Sequence, residues 1–167
     1  DALYRVSNLL TGAHETDEVL DLVVNEYAWL LNATAGYLRL LEEELLVPSA
    51  ATESAAAFLT KMDEFSPANP VGKEGGAAGY VLATKKPLVM EDATKEEIVS
   101  SEQRLRLEEH GFHGRATVPL LANGRSIGVL AVTDKQIRRF TQDEVSLLAA
   151  FADQAALALE KARLLNE

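Results

Sequence analysis

The chain of 167 residues is short enough for one domain and long enough to bury a hydrophobic core. Its formal net charge of −10 opposes binding to nucleic-acid phosphates, which requires clustered Lys and Arg. It contains no cysteine, which excludes disulfides, thiolate metal sites and thiol nucleophiles, and no apolar run of about 18 residues that would span a membrane. We therefore expect a cytoplasmic domain that contacts neither nucleic acid nor membrane directly.

The N-terminal part of the chain predicts helices followed by a β-hairpin. Apolar residues at helical spacing predict a short helix within residues 3–10. Thr16 and the two acids after it form a good helix start, and an apolar stripe over residues 20–31 predicts an amphipathic helix packed on a flat surface. Residues 35–41 and 45–50 then predict two paired strands joined by an acidic turn.

Glycine and proline interrupt the middle of the chain. Residues 52–62 predict a short helix, and residues 64–79, with two prolines and four glycines, predict an irregular stretch. A further helix over residues 77–84 ends before Pro87, and residues 88–90 predict a short strand.

Two sequences of the capping-box type predict helix starts. In such a box the first side chain accepts a hydrogen bond from a free helix amide, and the acid three residues later accepts one in return. Thr94 and Glu97 form one box, opening a charged helix that ends near Gly111. Thr141 and Glu144 form the second, opening a final helix with a narrow, alanine-rich stripe.

A hairpin precedes that last helix. Asn123-Gly124 separates two apolar runs, residues 116–121 and 127–132, and both turn residues tolerate the positive φ that a tight hairpin requires. We therefore predict an α+β domain with a central, mostly antiparallel, twisted sheet. The N- and C-terminal helices would cover one face, and the irregular, partly helical middle segment would cover the other.

Side-chain alternation along the strands assigns residues to these two faces. Tyr37 and Arg39 share one face, as do Arg115 and Thr117, whereas the opposite parity is apolar. The apolar face should pack against the long helices, and the more polar face should meet the middle segment, where a pocket would lie. Arg39 or Arg115 could then bind a carboxylate or phosphate through its planar fork. Alternatively both arginines are solvated or paired with acids. For Arg115 the position near a strand start favours this second interpretation, whereas for Arg39 both interpretations stay open.

The order and spacing of several segments resemble the GAF domain family across nearly the whole chain. The first segment is residues 76–92, GAAGYVLATKKPLVMED. The others are VPL at residues 118–120, GVL at residues 128–130 and FT at residues 140–141, followed by an alanine- and leucine-rich helix. Most of these residues have structural explanations, such as close backbone approach and helix capping.

The resemblance implies one GAF-like domain over residues 1–167, whose terminal helices lead to other domains. It implies a sensory or regulatory module of a bacterial signal-transduction or transcription-regulatory protein, which binds an unknown small molecule and forms a homodimer through its terminal helices. Ligand-dependent closure of the middle segment over the sheet would shift those helices. No cofactor can be named, and the candidate pocket residues are Tyr37, Arg39, Tyr80, Phe112, His113, Arg115, Thr117 and Thr133.

Subtypes of the family can be tested residue by residue. Bilin attachment and free-methionine-sulfoxide reduction both use cysteine in this family, and the chain has none. Cyclic-nucleotide-binding members carry Asn-Lys and a later Asp-Glu pair. Here Asp134-Lys135 replaces Asn-Lys, and Asp143-Glu144 comes one residue early, which argues against a cyclic nucleotide. The lysine and acids of this motif could still form a structural ion pair.

Two alternative functions remain open. His113 or His110 lies in the region where haem-binding relatives carry the proximal histidine, so a haem-based gas or redox sensor is one alternative. A ligand-free dimerisation scaffold is the other. The two histidines have metal-like spacing but no third ligand nearby, so no metal site is expected. No nucleophile, base and orienting group can be assembled, so we do not expect an enzyme.

Overall fold

The computed structural model describes residues 16–43, 45–58 and 76–165. The predicted helix within residues 3–10 and most of the irregular stretch lie outside these ranges. The described elements are α1 (Thr16–Leu30), β1 (Ala35–Glu42), β2 (Leu45–Ala51), a helical stretch at 53–58, α2 (Gly76–Thr84), β3 (Leu88–Met90), a 3₁₀ turn (Ala93–Lys95), α3 (Ser101–His110), β4 (Gly114–Ala122), β5 (Arg125–Asp134) and α4 (Gln142–Leu165). None of the described helices combines the length and apolar character needed to cross a bilayer.

The five strands form one antiparallel sheet in the order β2-β1-β5-β4-β3. Both predicted hairpins are confirmed, β1 with β2 and β4 with β5. At the second turn Asn123 has φ 53° and Gly124 has φ 77°, the two positive values that a tight two-residue turn needs. The predicted α+β class is therefore confirmed.

The sheet is buried on both faces, and each face has its own core. One core, here called the helix-side core, packs α1 and α4 on alternate strand residues such as Leu38, Val118 and Leu130. The second core, the pocket-side core, packs Tyr37 and Ala131 from the other face against the middle segment. The assignment of faces from side-chain alternation is thus confirmed.

The capping-box prediction at Thr94 is wrong. Thr94 lies inside the 3₁₀ turn, where the Asp92 carboxylate accepts hydrogen bonds from its backbone amide at 3.1 Å and its hydroxyl at 2.5 Å. The chain is extended again at Glu96, and α3 begins only after Ser100, whose hydroxyl accepts from the Gln103 amide at 3.2 Å. Because Asp92 already caps the turn that contains Thr94, the helix start moves to the next available cap.

The second capping box and the end of α3 occur as predicted. The Thr141 amide donates to the Glu144 carboxylate at 2.9 Å, and the Glu144 amide donates to the Thr141 hydroxyl at 3.1 Å. Gly111, with φ 70°, ends α3 in the left-handed conformation that favours glycine.

One guanidinium, that of Arg138, joins three elements of the helix side. Its Nη1 donates to the Asp134 carboxylate at 2.8 Å and to the Asn32 carbonyl at 3.2 Å. Its Nη2 donates to the Leu31 carbonyl at 2.6 Å and to the Glu144 carboxylate at 2.5 Å. We call this arrangement the Arg138 clamp, because it fastens the end of α1 and the first turn of α4 to the end of β5. Arg138, and not Lys135, is therefore the cation that pairs with these acids.

The clamp changes the acidity of both carboxyl groups. Burial alone would raise the pKa of Asp134, but hydrogen bonds from the Gln136 amide and Arg138 lower it below its ordinary value. The pKa of Glu144 is lowered in the same way, since the Thr141 amide and Arg138 outweigh the effect of burial. Both carboxylates therefore stabilise the fold more when ionised than when protonated.

We predict that Glu144→Gln lowers the free energy of unfolding at pH 7 by about 1–2 kcal/mol, because it removes a charged hydrogen bond to Arg138. A carboxyl with a depressed pKa contributes fully above its ordinary value of 4.5, and the contribution is lost as pH falls through the lower folded-state value. The difference between wild type and variant should therefore shrink below pH 4.5 in urea titrations followed by circular dichroism.

Asp143→Asn provides the matched control, because Asp143 is exposed in the same first turn of α4. It should change stability by no more than about 0.5 kcal/mol. Equal losses in both variants, or a difference that does not depend on pH, would show that the clamp is not a stabilising contact.

Candidate functional site

A small cavity lies inside the pocket-side core, between the sheet and the middle segment. Its described lining is apolar except for one amide and one guanidinium, and includes Phe58, Ala77, Ala78, Met90, Val99, Leu107, Gln103 and Arg115. About 10 Å³ of it is open to a water-sized sphere, which is room for roughly one water molecule. Gln103, the amide of this lining, is half-buried.

Arg115 is the unusual residue of this lining. It comes from β4, opposite Met90 of β3 and Thr133 of β5, and only 6% of it is exposed. Its guanidinium lies over the Tyr37 ring at 5.2 Å and the Phe58 ring at 6.0 Å. Among the described residues, none accepts a hydrogen bond from its Nε and no acid forms an ion pair with it.

Burial lowers the pKa of Arg115 to about 10, because the surroundings disfavour the charged form. The group is still protonated at neutral pH. The protein therefore holds a buried positive charge against two aromatic faces, with no counter-ion from the described ranges of the chain. Such an arrangement opposes folding unless an anion compensates it.

Thr117 lies two residues from Arg115 on the same face of β4 and is also buried. Its hydroxyl has no hydrogen-bond partner within the described ranges. Thr117 does not line the cavity itself, and it pairs across the sheet with Leu88. The pocket face of β4 thus carries two incompletely hydrogen-bonded polar side chains in succession.

Arg39 has a structural role that separates it from Arg115. Its side chain is buried, and Nη2 donates to the Leu46 carbonyl of the neighbouring strand at 3.0 Å. Tyr80 lies half-buried on α2 and packs against an apolar group of its own, which includes Leu82 and Val129. Neither Arg39 nor Tyr80 lines the cavity at Arg115.

The remaining predicted pocket residues surround the cavity without lining it. Phe112 packs edge-on against Phe58, with ring centroids 5.2 Å apart, and so supports the cavity wall. The His113 ring Nδ1 lies 3.0 Å from the Asp92 carboxylate. Thr133 donates its hydroxyl to the Gly114 carbonyl at 3.1 Å, which is a bond within the sheet.

His110 also has protein partners on this side. Its ring stacks on Phe112 at a centroid distance of 6.0 Å and meets the edge of Phe58 at 5.6 Å. Neither histidine of the haem alternative lines the cavity, although His110 contacts Phe58 of its wall.

Sequence reasoning missed most of the cavity lining. Phe58 is the largest side chain in a stretch of small residues, and Leu107 is the only buried residue of the charged helix α3. The exception at Phe58 is visible in the sequence and could have marked it as a core anchor, whereas the sequence does not separate Leu107 from the exposed Leu105. Met90 and Gln103 carry no such signal, since their position depends on how distant segments meet.

Comparison with known proteins identifies the fold. The GAF domain family model matches residues 13–160. A similar solved structure is the GAF domain of a phosphoenolpyruvate-protein phosphotransferase from Coxiella burnetii, with TM-score 0.83 and 20% identity over 99% of this chain and 94% of that one. Among curated proteins, none matches the sequence significantly.

Two further structures show the range of proteins that share this fold. A methyl-accepting chemotaxis protein segment has TM-score 0.72 and 22% identity, over 96% of this chain and 98% of that one. Free methionine-R-sulfoxide reductase from Neisseria meningitidis has TM-score 0.74 and 16% identity, over 98% of this chain and 89% of that one. At these identities the similarity establishes a common fold alone.

We predict opposite effects for the same substitution at the two buried arginines. In ligand-free protein, prepared by unfolding and dialysis, Arg115→Met should raise the free energy of unfolding by about 1–3 kcal/mol, because it removes an uncompensated charge. Arg39→Met should lower it by about 1–3 kcal/mol, because the Leu46 carbonyl loses its buried donor. Urea denaturation at pH 7 measures both, and a loss of stability in both variants would contradict this account of Arg115.

Proposed function

This chain belongs to the GAF domain family of sensory and regulatory modules, and we propose that it binds a small molecule at the Arg115 cavity and transmits occupancy to its terminal helices. One observation carries the proposal. Arg115 is a buried, charged side chain that lines a cavity on the pocket face of the sheet, and no described residue compensates its charge. Buried groups that oppose folding in this way cluster at functional sites.

The start of β4 offers a route from the cavity to the helices. Gly114, next to Arg115, donates its amide to the Gln136 carbonyl at 3.0 Å. A methyl group added at Gly114 would lie 2.8 Å from the Arg138 Cβ, so the strand and the Arg138 clamp are in close contact. A ligand that displaces Arg115 and the strand start would therefore alter the clamp that holds α1 and α4. It does so only if it binds the two arrangements with different affinity.

A regulatory role is favoured over a catalytic one. The chain has no cysteine and so no thiol nucleophile. The similar structures include segments of a chemotaxis protein and a phosphotransferase, which supports a bacterial, cytoplasmic signalling protein as the parent of this domain. We do not carry the haem alternative further, because no contact of His110 or His113 favours it.

We predict that freshly purified wild-type protein retains a small molecule in native mass spectrometry and that Arg115→Met does not. The substitution removes the charge that would hold the ligand while leaving an apolar side chain of similar length. Circular dichroism should show the same helix content in both proteins. If the wild type carries no added mass and no metabolite in a thermal-shift library stabilises it, the ligand-free scaffold is the correct alternative.

The outer faces of the two long helices support the proposed homodimer. Leu22 and Trp29 lie seven residues apart on α1, and Leu157 and Leu164 lie seven apart on α4. All four are exposed, with Trp29 at 73% and Leu157 at 66%, on the sides of the helices opposite their buried stripes. Apolar residues at this spacing form the seam of packed helices, so a second copy of the chain is the partner that we propose.

We predict that wild-type protein is a dimer in analytical ultracentrifugation and that Trp29→Glu or Leu157→Glu makes it monomeric, because each places a charge in the proposed seam. Ile137→Glu is the matched control, since Ile137 is 65% exposed but lies in the loop before α4. It should leave the dimer intact. This interface would be refuted by a wild type that stays monomeric at micromolar concentration. It would also be refuted if all three variants had the same dissociation constant for the dimer.

A further inference from the structure

We propose that the Arg115 cavity binds a small monocarboxylate with a short apolar body. This inference rests on the proposed function of the same cavity and adds the chemical class of its ligand. Three properties of the lining carry it: the number of its charges, the shape of the group that bears the charge, and the character of the remaining surface.

The described lining carries one positive charge and no negative one. Arg115 is the only ionisable residue among the described lining residues, and the other polar residue, Gln103, is a neutral amide. A ligand with one negative charge compensates the buried guanidinium and leaves the site neutral. A phosphate or sulfate dianion would leave one negative charge in a cavity whose described walls are otherwise apolar, and is therefore disfavoured.

The aromatic contacts of the Arg115 guanidinium leave the hydrogen-bond donors at its edge available to a ligand. Tyr37 and Phe58 lie against it at 5.2 and 6.0 Å, and aromatic rings interact favourably with a delocalised cation. These rings cannot accept a directed in-plane hydrogen bond from Nε, and the described residues provide no other acceptor. The edge formed by Nε and a terminal nitrogen presents two parallel donors, which match the two oxygens of a planar carboxylate.

The apolar lining determines what is attached to the carboxylate. Phe58, Met90, Val99 and Leu107 surround the space beside Arg115 and offer no hydrogen bonds to a polar body. The present volume of about 10 Å³ holds roughly one water molecule, so a carboxylate enters only after side-chain movements, and a short ligand requires the smallest movements. The flexible side chain of Met90 and the half-buried Gln103 are the lining groups most able to move.

The experiment is isothermal titration calorimetry at constant ionic strength, with the sodium salts of acetate, propionate, butyrate and isobutyrate as probes. Butyramide, which has nearly the shape of butyrate but no charge, and sodium sulfate and phosphate are the comparison ligands. We expect binding by at least one carboxylate and at least tenfold weaker binding by butyramide and the inorganic anions. Arg115→Lys keeps the charge but loses the paired donors, and should weaken binding about tenfold to a hundredfold.

Arg139→Lys is the matched control, because Arg139 is exposed, pairs with Glu91 and does not line the cavity. It should bind the carboxylate as the wild type does. Equal binding of butyrate and butyramide, preference for sulfate or phosphate, or no effect of Arg115→Lys would overturn the ligand class.

The outcome for the proposed function is separate. If native mass spectrometry finds a retained molecule that denaturing mass spectrometry identifies as lacking a carboxylate, the ligand class is wrong and the sensory function stands. If nothing is retained, no probe binds and no library compound stabilises the protein, both proposals fail together.

Discussion

The register of strand β5 is the constraint on which the rest of the structure depends. β5 pairs with β1 on one edge and with β4 on the other, and both pairings are antiparallel. Leu38, Leu130 and Val118 therefore stand side by side under the two long helices. A slip of one residue between β4 and β5 would turn Arg115 toward those helices and empty the cavity of its charge. The same pairing that builds the helix-side core thus creates the candidate site.

Because both faces of the sheet are covered, an arginine buried on the sheet needs hydrogen-bond acceptors or an anion close to its guanidinium. Arg39 donates to a strand carbonyl, and Arg138 donates to two carbonyls and two carboxylates. Arg115 is also buried, with 6% exposed against 1% for Arg39, yet the described residues give it only aromatic faces. Arg138 has four acceptors and Arg39 has a carbonyl acceptor for its Nη2, whereas no described residue accepts a hydrogen bond from Arg115, and we propose that a ligand supplies that acceptor.

Local signals in the sequence predicted the elements, and non-local contacts decided the site. The turn at Asn123-Gly124 and the box at Thr141 depend on neighbouring residues and were confirmed. The capping box at Thr94 did not form because the Asp92 carboxylate accepts hydrogen bonds from Thr94. From the sequence alone, this contact is as plausible as the predicted box. Side-chain alternation placed Arg115 on the correct face of the sheet. Whether an acceptor lies near its guanidinium depends on all the segments that pack there, and no single segment of the sequence reveals it. The position of Arg115 near a strand start favoured a solvated side chain, whereas in the structure residues of the middle segment cover Arg115.

The magnitudes are consistent with a domain that switches through Arg115. A tenfold change in a two-state ratio requires a difference of about 1.4 kcal/mol in ligand affinity between the states. Leaving a buried charge without its partner costs about 3–5 kcal/mol, so an anion at Arg115 would supply that difference if one state holds it better. The Arg138 clamp is built from charged hydrogen bonds, each of which contributes about 1.5–3 kcal/mol. A strand shift that weakens even one of them is comparable in energy to ligand binding, and for that reason the proposed coupling needs no large rearrangement of the sheet.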